Sequence, residues 1–355
     1  MQFAVSSVRR ARPYCRTDAR AIGAHRPHSR RRANQRGVLR FRGEYCVWLS
    51  TKGSPFPTAM LALMASSETI QQRRGYADLS EVRLHYVEAG DGPLVVLLHG
   101  FPEFWVSWRH QIPVLAAAGF RVVAPDMRGY NLSSRPTEVA AYDADRLAVD
   151  VRDLINERGA DRALLAGHDW GAAVAWAAAM NHPEAVERLA ILNVPHPRRL
   201  FHGLRDPRQL AKSWYIFALQ VPWPREHVGR GVLRWFRHAF EHDARSGAFS
   251  PEDIESYVEA WSQPGAATAM FNYYRAAFRQ PPKRIEARIR RVEAPTLVIW
   301  GEHDRYLRSE LAEPGRADVP NLKGVVRLPE ASHWVQHDEP ERVSELLVQF
   351  FSDVT

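Results

Sequence analysis

One pentapeptide, Gly167-His168-Asp169-Trp170-Gly171, constrains the fold of this chain more than any other segment. The apolar residues 163–166 before it predict a buried strand, and the alanine-rich residues 172–180 after it predict a helix. A strand, a tight turn and a helix form the context of a nucleophile elbow, whose central side chain projects from a strained turn. Glycines two residues before and after the centre relieve the crowding of such a turn. We therefore predict that Asp169 is a nucleophile.

The aspartate at the centre of this elbow selects the chemistry, since serine is the common residue there. A carboxylate is already ionised at neutral pH and needs no base to activate it. It can attack an electrophilic sp3 carbon and become an ester. Opening of an epoxide and displacement of a halide both need such a nucleophile, and both remain open at this point.

The charge of the chain is unevenly distributed. The 355 residues carry a formal net charge of +8, with 45% hydrophobic and 25% charged residues, which is ordinary for a soluble protein. Residues 1–67 hold 12 Arg and one Lys against two acids, a net charge of +11, which leaves −3 for the remainder. The basic character therefore belongs to the N-terminal segment, and the rest of the chain is not expected to bind nucleic acid. No stretch reaches the roughly 18 apolar residues of a membrane span.

We predict that residues 1–67 are an Arg-rich extension, disordered or not part of the mature protein. A disordered tail, upstream sequence before a true start at Met60 or Met64, and a transit peptide all remain open, as does nucleic-acid binding by this segment alone. Both cysteines, Cys15 and Cys46, also lie there. The rest of the chain has no disulfide and no cysteine metal site, so we expect a reducing compartment, the cytoplasm.

From about residue 75 the chain alternates between strand and helix patterns. Alternation of this kind favours an α/β fold with a mostly parallel sheet flanked by helices. Residues 196–291 interrupt it, because they lack a clear buried strand and are rich in aromatic residues and arginine. We predict a core of residues 68–195 and 292–355 and an inserted helical cap of residues 196–291. Strands are predicted at 82–87, 94–98, 121–124, 163–166, 189–194, 296–300 and 325–328, and helices at 104–118, 142–157, 172–180 and 339–351.

An elbow nucleophile needs an acid and then a histidine downstream. After the next-to-last predicted strand the chain reads Gly301-Glu302-His303-Asp304, and after the last it reads Glu330-Ala331-Ser332-His333-Trp334. Both segments follow strands, so they lie at the same edge of the sheet as the elbow. We therefore predict Asp304 as the acid and His333 as the base.

A third loop supplies the expected oxyanion hole. His99-Gly100-Phe101-Pro102 follows the apolar residues 94–98, where backbone N–H groups are needed to hold a developing oxyanion. We predict that the donors are the N–H groups of Phe101 and of Trp170, the residue after the nucleophile.

Four segments of the chain resemble the epoxide hydrolases of the α/β-hydrolase superfamily, the soluble type with an aspartate nucleophile. They are residues 99–136, which begin HGFPEFWVSWRH, GHDWG at 167–171, WGEHD at 300–304 and SHWVQHDEPERV at 332–343. The resemblance extends over about residues 75–355. It implies that an apolar epoxide and water give a vicinal diol through a covalent ester, without a cofactor.

The resemblance also implies two cap tyrosines that hydrogen-bond the epoxide oxygen. Ser213-Trp214-Tyr215-Ile216-Phe217 is similar to the segment with the first of them, and Phe271-Asn272-Tyr273-Tyr274-Arg275 to the segment with the second. The roles pass to Tyr215 and Tyr274, with Tyr273 as the alternative to Tyr274. For the substrate pocket we predict Trp105, Phe217, Phe271 and Trp334.

Two other functions remain as alternatives. A haloalkane dehalogenase uses the same elbow, although a polar residue such as Asn is usual at the position of Phe101. A catalytically silent, ligand-binding member of the superfamily is the second alternative. No metal is expected, because the pairs His238/His242 and His333/His337 lack the His-Glu-x-x-His order. The chain is expected to be a monomer or a homodimer, and detoxification, catabolism and signalling all remain open as its role.

Overall fold

The sheet and its helices are seen in a computed structural model that describes residues 70–221 and 225–353, residues 225–229 by their backbone alone. The predicted extension, residues 1–67, lies outside the described residues. Within them, the strands form one sheet in the order β1-β2-β4-β3-β5-β6-β7-β8. Their bounds are β1 Gln72–Asp78, β2 Arg83–Ala89, β3 Leu94–Leu98, β4 Arg121–Pro125, β5 Ala163–His168, β6 Val186–Leu192, β7 Thr296–Gly301 and β8 Leu322–Leu328.

The sheet is mostly parallel, as predicted. Strand β2 pairs antiparallel with β1 and β4, and every pairing from β4 to β8 is parallel. Strands β3, β5 and β7 are buried along their whole length, which explains why they read as continuous apolar runs. The predicted α/β-hydrolase architecture is confirmed.

Helices flank this sheet. Helix α2 packs against α3, and α1 packs against the C-terminal helix α12. Asp143 caps the start of α2 by accepting a hydrogen bond from the N–H of Asp145 at 3.1 Å. The bounds are α1 Gln111–Ala117, α2 Ala144–Glu157, α3 Trp170–Asn181, α11 Val335–Asp338 and α12 Pro340–Ser352.

The chain between β6 and β7 is helical, where the sequence predicts the cap. Ser250 and Asp253 form a capping box at the start of α8, with reciprocal side-chain and backbone hydrogen bonds. The limits of a separate cap domain stay a prediction. The helices are α4 Pro197–Gly203, α5 Pro207–Lys212, α6 Trp214–Ala218, α7 Arg225–His242, α8 Pro251–Trp261, α9 Ala266–Phe278 and α10 Pro282–Arg288.

Two local predictions differ from the structure. The helix predicted at 104–118 is a 3-10 turn, Trp105–Trp108, followed by the shorter α1. Pro113 explains the break, because proline has no N–H and its ring clashes with the carbonyl four residues earlier, so it is tolerated only in a first turn. Strand β1 has no predicted counterpart, since most of its residues are exposed at the edge of the sheet. None of the described helices is both long and apolar enough to cross a membrane.

Candidate active site

Asp169 occupies the sharp turn between β5 and α3. Its backbone, at φ 48° and ψ −123°, lies in a region that residues with a side chain rarely adopt. A Cβ on Gly167 would lie 2.5 Å from the carbonyl oxygen of Gly171, and one on Gly171 would collide with the carbonyl oxygen of Leu98. The two glycines therefore let the turn pack against β3, as the elbow motif predicts.

His333 lies between two carboxylates. Its Nε2 is 3.4 Å from Oδ2 of Asp169, and its Nδ1 is 2.7 Å from Oδ2 of Asp304. The backbone N–H groups of Tyr306 and Leu307 donate to Oδ1 of Asp304 at 2.7 and 2.8 Å. The nucleophile, base and acid predicted from three separate loops are thus brought together in one row.

The electrostatics of this row follow from burial and from the two carboxylates. Burial raises the pKa of Asp304, but the facing His333 and the donated hydrogen bonds hold that pKa below its usual value. Burial lowers the pKa of His333, while Asp304 and Asp169 raise it to about 10. His333 is therefore an imidazolium at neutral pH when both carboxylates are charged.

The loop after β3 supplies a hydrogen-bond donor to Asp169. The N–H of Phe101 donates to Oδ1 of Asp169 at 2.8 Å. A Cβ on Gly100 would lie 2.5 Å from Cβ of Asp169, so only glycine allows this close approach. Trp170 is the first residue of α3, and its N–H stays the second predicted donor.

Tyr215 on α6 and Tyr274 on α9 lie close together, and both line the same cavities as Asp169. Their ring centroids are 5.9 Å apart, and the ring of Trp170 is 5.0 Å from that of Tyr274. Burial, and then the negative charge of Asp169 for Tyr215, raises the pKa of the first phenol, and burial raises that of the second. Both hydroxyls therefore keep their protons and are available as hydrogen-bond donors.

The neighbouring Tyr273 has a different environment. Its hydroxyl donates to the carbonyl oxygen of Arg128 at 2.7 Å, and its side chain is fully buried. It lines neither of the two cavities that reach Asp169, whereas Tyr274 lines both. The geometry therefore favours Tyr274 over Tyr273 as the tyrosine of α9 that faces a substrate.

Two cavities meet at Asp169, a large one of about 250 Å³ and a small one of about 30 Å³. Of the predicted pocket residues, Trp334 lines the small cavity. The other three line neither of these two cavities. Phe217 is 57% exposed on the outer side of α6. Phe271 is buried behind Phe101, with ring centroids 6.3 Å apart. Trp105 packs against Phe104 and under the guanidinium of Arg74.

Asn193 is a site residue that the sequence analysis missed. It follows β6 with a φ of 49°, its Nδ2 donates to Oδ2 of Asp304 at 2.9 Å, and its Oδ1 accepts from the N–H of Gly301 at 2.9 Å. Its position after a buried strand, at the same edge as the other site loops, was the available signal. Asn193 therefore holds the carboxylate of Asp304 in place. Oδ2 of Asp304 then has two hydrogen-bond partners, Asn193 and His333.

A buried polar network behind the site was also missed. Glu103 lies 2.8 Å from Nδ1 of His168 and 2.7 Å from Nε2 of His337, and it accepts from the N–H of Gly100 at 3.2 Å. The other ring nitrogen of His168 donates to the carbonyl oxygen of His333 at 2.8 Å. Burial raises the pKa of Glu103, but the two histidines lower it well below its usual range. The ionised Glu103 thus connects the loop after β3, the turn at Asp169 and, through His168, the loop that contains His333.

Comparison with known proteins indicates the family of the chain. The family described as "alpha/beta hydrolase fold" matches residues 93–340. An "AB hydrolase superfamily protein" of Bacillus subtilis is 39% identical, over 78% of this chain and 97% of that protein. "Epoxide hydrolase 4" of Homo sapiens is also 39% identical, over 78% of this chain and 77% of the human protein.

Solved structures give the same result. An epoxide hydrolase from Vigna radiata superposes with a TM-score of 0.69 at 28% identity, over 80% of this chain and 99% of that one. Epoxide hydrolase A from Mycobacterium thermoresistibile superposes with a TM-score of 0.70 at 30% identity, over 80% and 99%. The elbow, the row of Asp304 and His333, and these similarities together place the chain in the epoxide hydrolase family of the α/β-hydrolase fold.

Proposed function

We propose that the protein hydrolyses an apolar epoxide to a vicinal diol through a covalent ester on Asp169. The observation that carries the proposal is the placement of one carboxylate between a base and two phenols. His333 lies 3.4 Å from Asp169 on one side, and Tyr215 and Tyr274 line the same cavities as Asp169. The carboxylate can attack the ring carbon, and the phenols can donate hydrogen bonds to the ring oxygen as it leaves that carbon.

In the first step, Asp169 attacks a ring carbon and the bond from that carbon to the epoxide oxygen breaks. The oxygen develops negative charge, which is costly in a buried site unless donors face it. Tyr215 and Tyr274 are such donors, because burial keeps both hydroxyls protonated. As the ring opens, one of the two phenols gives its proton to this oxygen, so the products of this step are a hydroxyalkyl ester of Asp169 and a phenolate.

In the second step, water attacks the carbonyl carbon of the ester, with His333 as the general base. Esterification removes the negative charge of Asp169, which is one of the two charges that raise the pKa of His333. The imidazolium therefore gives up its proton more easily, which returns the phenolate to a phenol, and the neutral ring can then accept a proton from water. The N–H of Phe101 holds the tetrahedral oxyanion. Its collapse breaks the ester bond between the carbonyl carbon and the alkoxide oxygen, and the proton of the new carboxyl group passes to that oxygen. The diol leaves, Asp169 is again a carboxylate, and His333 is again an imidazolium.

Trapping of the ester tests this mechanism. His333→Gln should still form the ester but hydrolyse it too slowly to turn over, so intact-protein mass spectrometry should show an increase of one substrate mass. Asp169→Ala is the control and should show neither a mass increase nor diol. Normal turnover by His333→Gln, or a stable adduct on Asp169→Ala, would contradict the assignment. If haloalkanes were hydrolysed and no epoxide were, the dehalogenase alternative would replace it.

A further inference from the structure

The two cavities at Asp169 differ about eightfold in volume, about 250 Å³ against about 30 Å³. Asp169, Tyr215 and Tyr274 line both of them, so these three residues mark the junction. An epoxide ring held by the two phenols against Asp169 therefore has ample space on one side and very little on the other.

The small cavity is the one that adjoins the base. His333 lines it and does not line the large cavity. Its other walls are aromatic, with Phe101, Trp235 and Trp334 among them. A volume of about 30 Å³ holds a water molecule and little more. The water that His333 activates must lie beside Nε2 of that ring, so the small cavity is its site.

A substituent in the small cavity has two costs. It displaces the water that hydrolyses the ester, and it presses against rings that are packed on one another. Phe101 lies 5.1 Å from Tyr274 between ring centroids, and Trp235 lies 5.3 Å from Phe236. Widening the cavity would require these side chains to leave a packed cluster, which is unfavourable in a close-packed interior.

The large cavity suits a long apolar chain. Its inner walls are apolar side chains of α3, among them Ala173, Ala177 and Met180, and of the cap helices. Its lining also includes Asp145 and Arg288, whose side chains are 46% and 31% exposed, so the cavity opens to the surface at this end. A chain longer than the cavity can therefore leave it at this end.

We propose that the substrates are terminal epoxides, with one long apolar chain on one ring carbon and two hydrogens on the other. The chain lies in the large cavity, and the small cavity is left to water. Epoxides with chains on both ring carbons are poor substrates. This assignment rests on the function proposed above and adds the shape of the substrate.

Two isomers of one composition test it, 1,2-epoxydecane and trans-5,6-epoxydecane, with 1,2-epoxybutane as a short reference whose ethyl group fills only a small part of the large cavity. We expect kcat/KM for the terminal isomer to exceed that for the internal isomer by at least about 100-fold, since even small misfits in an apolar pocket cost one to two orders of magnitude. Equal kcat/KM values for the two isomers would overturn the inference. Absence of diol from all three, 1,2-epoxybutane included, would instead overturn the proposed function and this inference with it.

A pair of variants tests whether the long apolar chain of the substrate lies in the large cavity. Ala177→Phe fills that cavity from α3, and it should lower the ratio of kcat/KM for 1,2-epoxydecane to that for 1,2-epoxybutane by about tenfold or more. Ala287→Phe makes the same change on an exposed position of α10 and should leave the ratio as it is. An unchanged ratio in a folded Ala177→Phe protein would show that the chain does not lie in this cavity.

Discussion

His333 needs a different charge in each of the two proposed steps. In the resting site, its imidazolium faces the carboxylates of Asp169 and Asp304, which raise its pKa to about 10. As a base it must be neutral. The negative charge that Asp169 loses on esterification connects the two states, because the pKa of His333 falls when an opposite charge 3.4 Å away disappears. In the proposed mechanism, esterification of Asp169 thus lowers the pKa of His333 and makes it a better base for the second step.

The pH dependence of ester hydrolysis checks this coupling. Below the pKa of His333 in the ester, the neutral fraction falls about tenfold with each pH unit, so hydrolysis should slow by that factor as the pH is lowered. In rapid-quench single-turnover experiments between pH 5 and pH 8, the ester should accumulate at pH 5, and at pH 8 it should be hydrolysed too quickly to accumulate. A rate of ester decay that is flat across this range would rule out His333 as the base.

Among the elements, α9 shows how one helix serves both packing and chemistry. Consecutive residues of a helix point about 100° apart, so Tyr273 and Tyr274 face different surroundings. The first hydrogen-bonds the carbonyl of Arg128 in the core, and the second reaches the cavities at Asp169. Removing the hydroxyl of one tyrosine or the other therefore tests the same chemical change in two environments.

Replacing each tyrosine of α9 by phenylalanine separates these roles. Tyr274→Phe should slow ester formation by about 10- to 100-fold, because one donor to the epoxide oxygen is lost. Tyr273→Phe should leave ester formation unchanged and lower the free energy of unfolding by about 1 to 3 kcal/mol, because a buried carbonyl loses its donor. Stopped-flow fluorescence and urea unfolding measure the two effects. If Tyr273→Phe slowed ester formation and Tyr274→Phe did not, Tyr273 would be the donor to the epoxide oxygen instead.

The elements that the sequence predicted well are those whose pattern has one physical cause. Strand β3 matches its predicted bounds, because a strand covered on both faces must be apolar throughout. The exposed edge strand β1 carries no such pattern. The row of Asp169, Asp304 and His333 was predictable, since each lies in a loop after a parallel strand at one edge of the sheet.

The cap could not be predicted as well, because an aromatic residue in a short helix faces a cavity, the core or solvent according to its packing. Phe217 is adjacent in sequence to Ile216, which lines the large cavity, yet it is exposed. Asn193 escaped prediction for another reason. Its role depends on a φ of 49° that brings its amide to Asp304, more than one hundred residues later in the chain.

At the scale of the whole molecule, charge and chemistry are separated along the chain. The predicted site residues lie between Phe101 and Trp334, within the described part of the chain. The net positive charge lies in the segment before this part of the chain, because residues 1–67 have a net charge of +11 and the remainder has −3. Hydrolysis of a neutral epoxide needs no basic tail, whereas adsorption to a negatively charged surface depends directly on net charge.

A chain that starts at Met64 tests this separation. We expect its kcat/KM for 1,2-epoxydecane to stay within about twofold of the full chain, since no predicted site residue is removed. At pH 7 its net charge of −3 should abolish retention on a sulfonate cation exchanger, which the full chain at +8 should show. A chain with Arg30, Arg31 and Arg32 changed to Gln is the intermediate control and should elute between the two. If the shortened protein is folded but hydrolyses the epoxide much more slowly, then the first 63 residues take part in the activity, and the division of the chain proposed here is wrong.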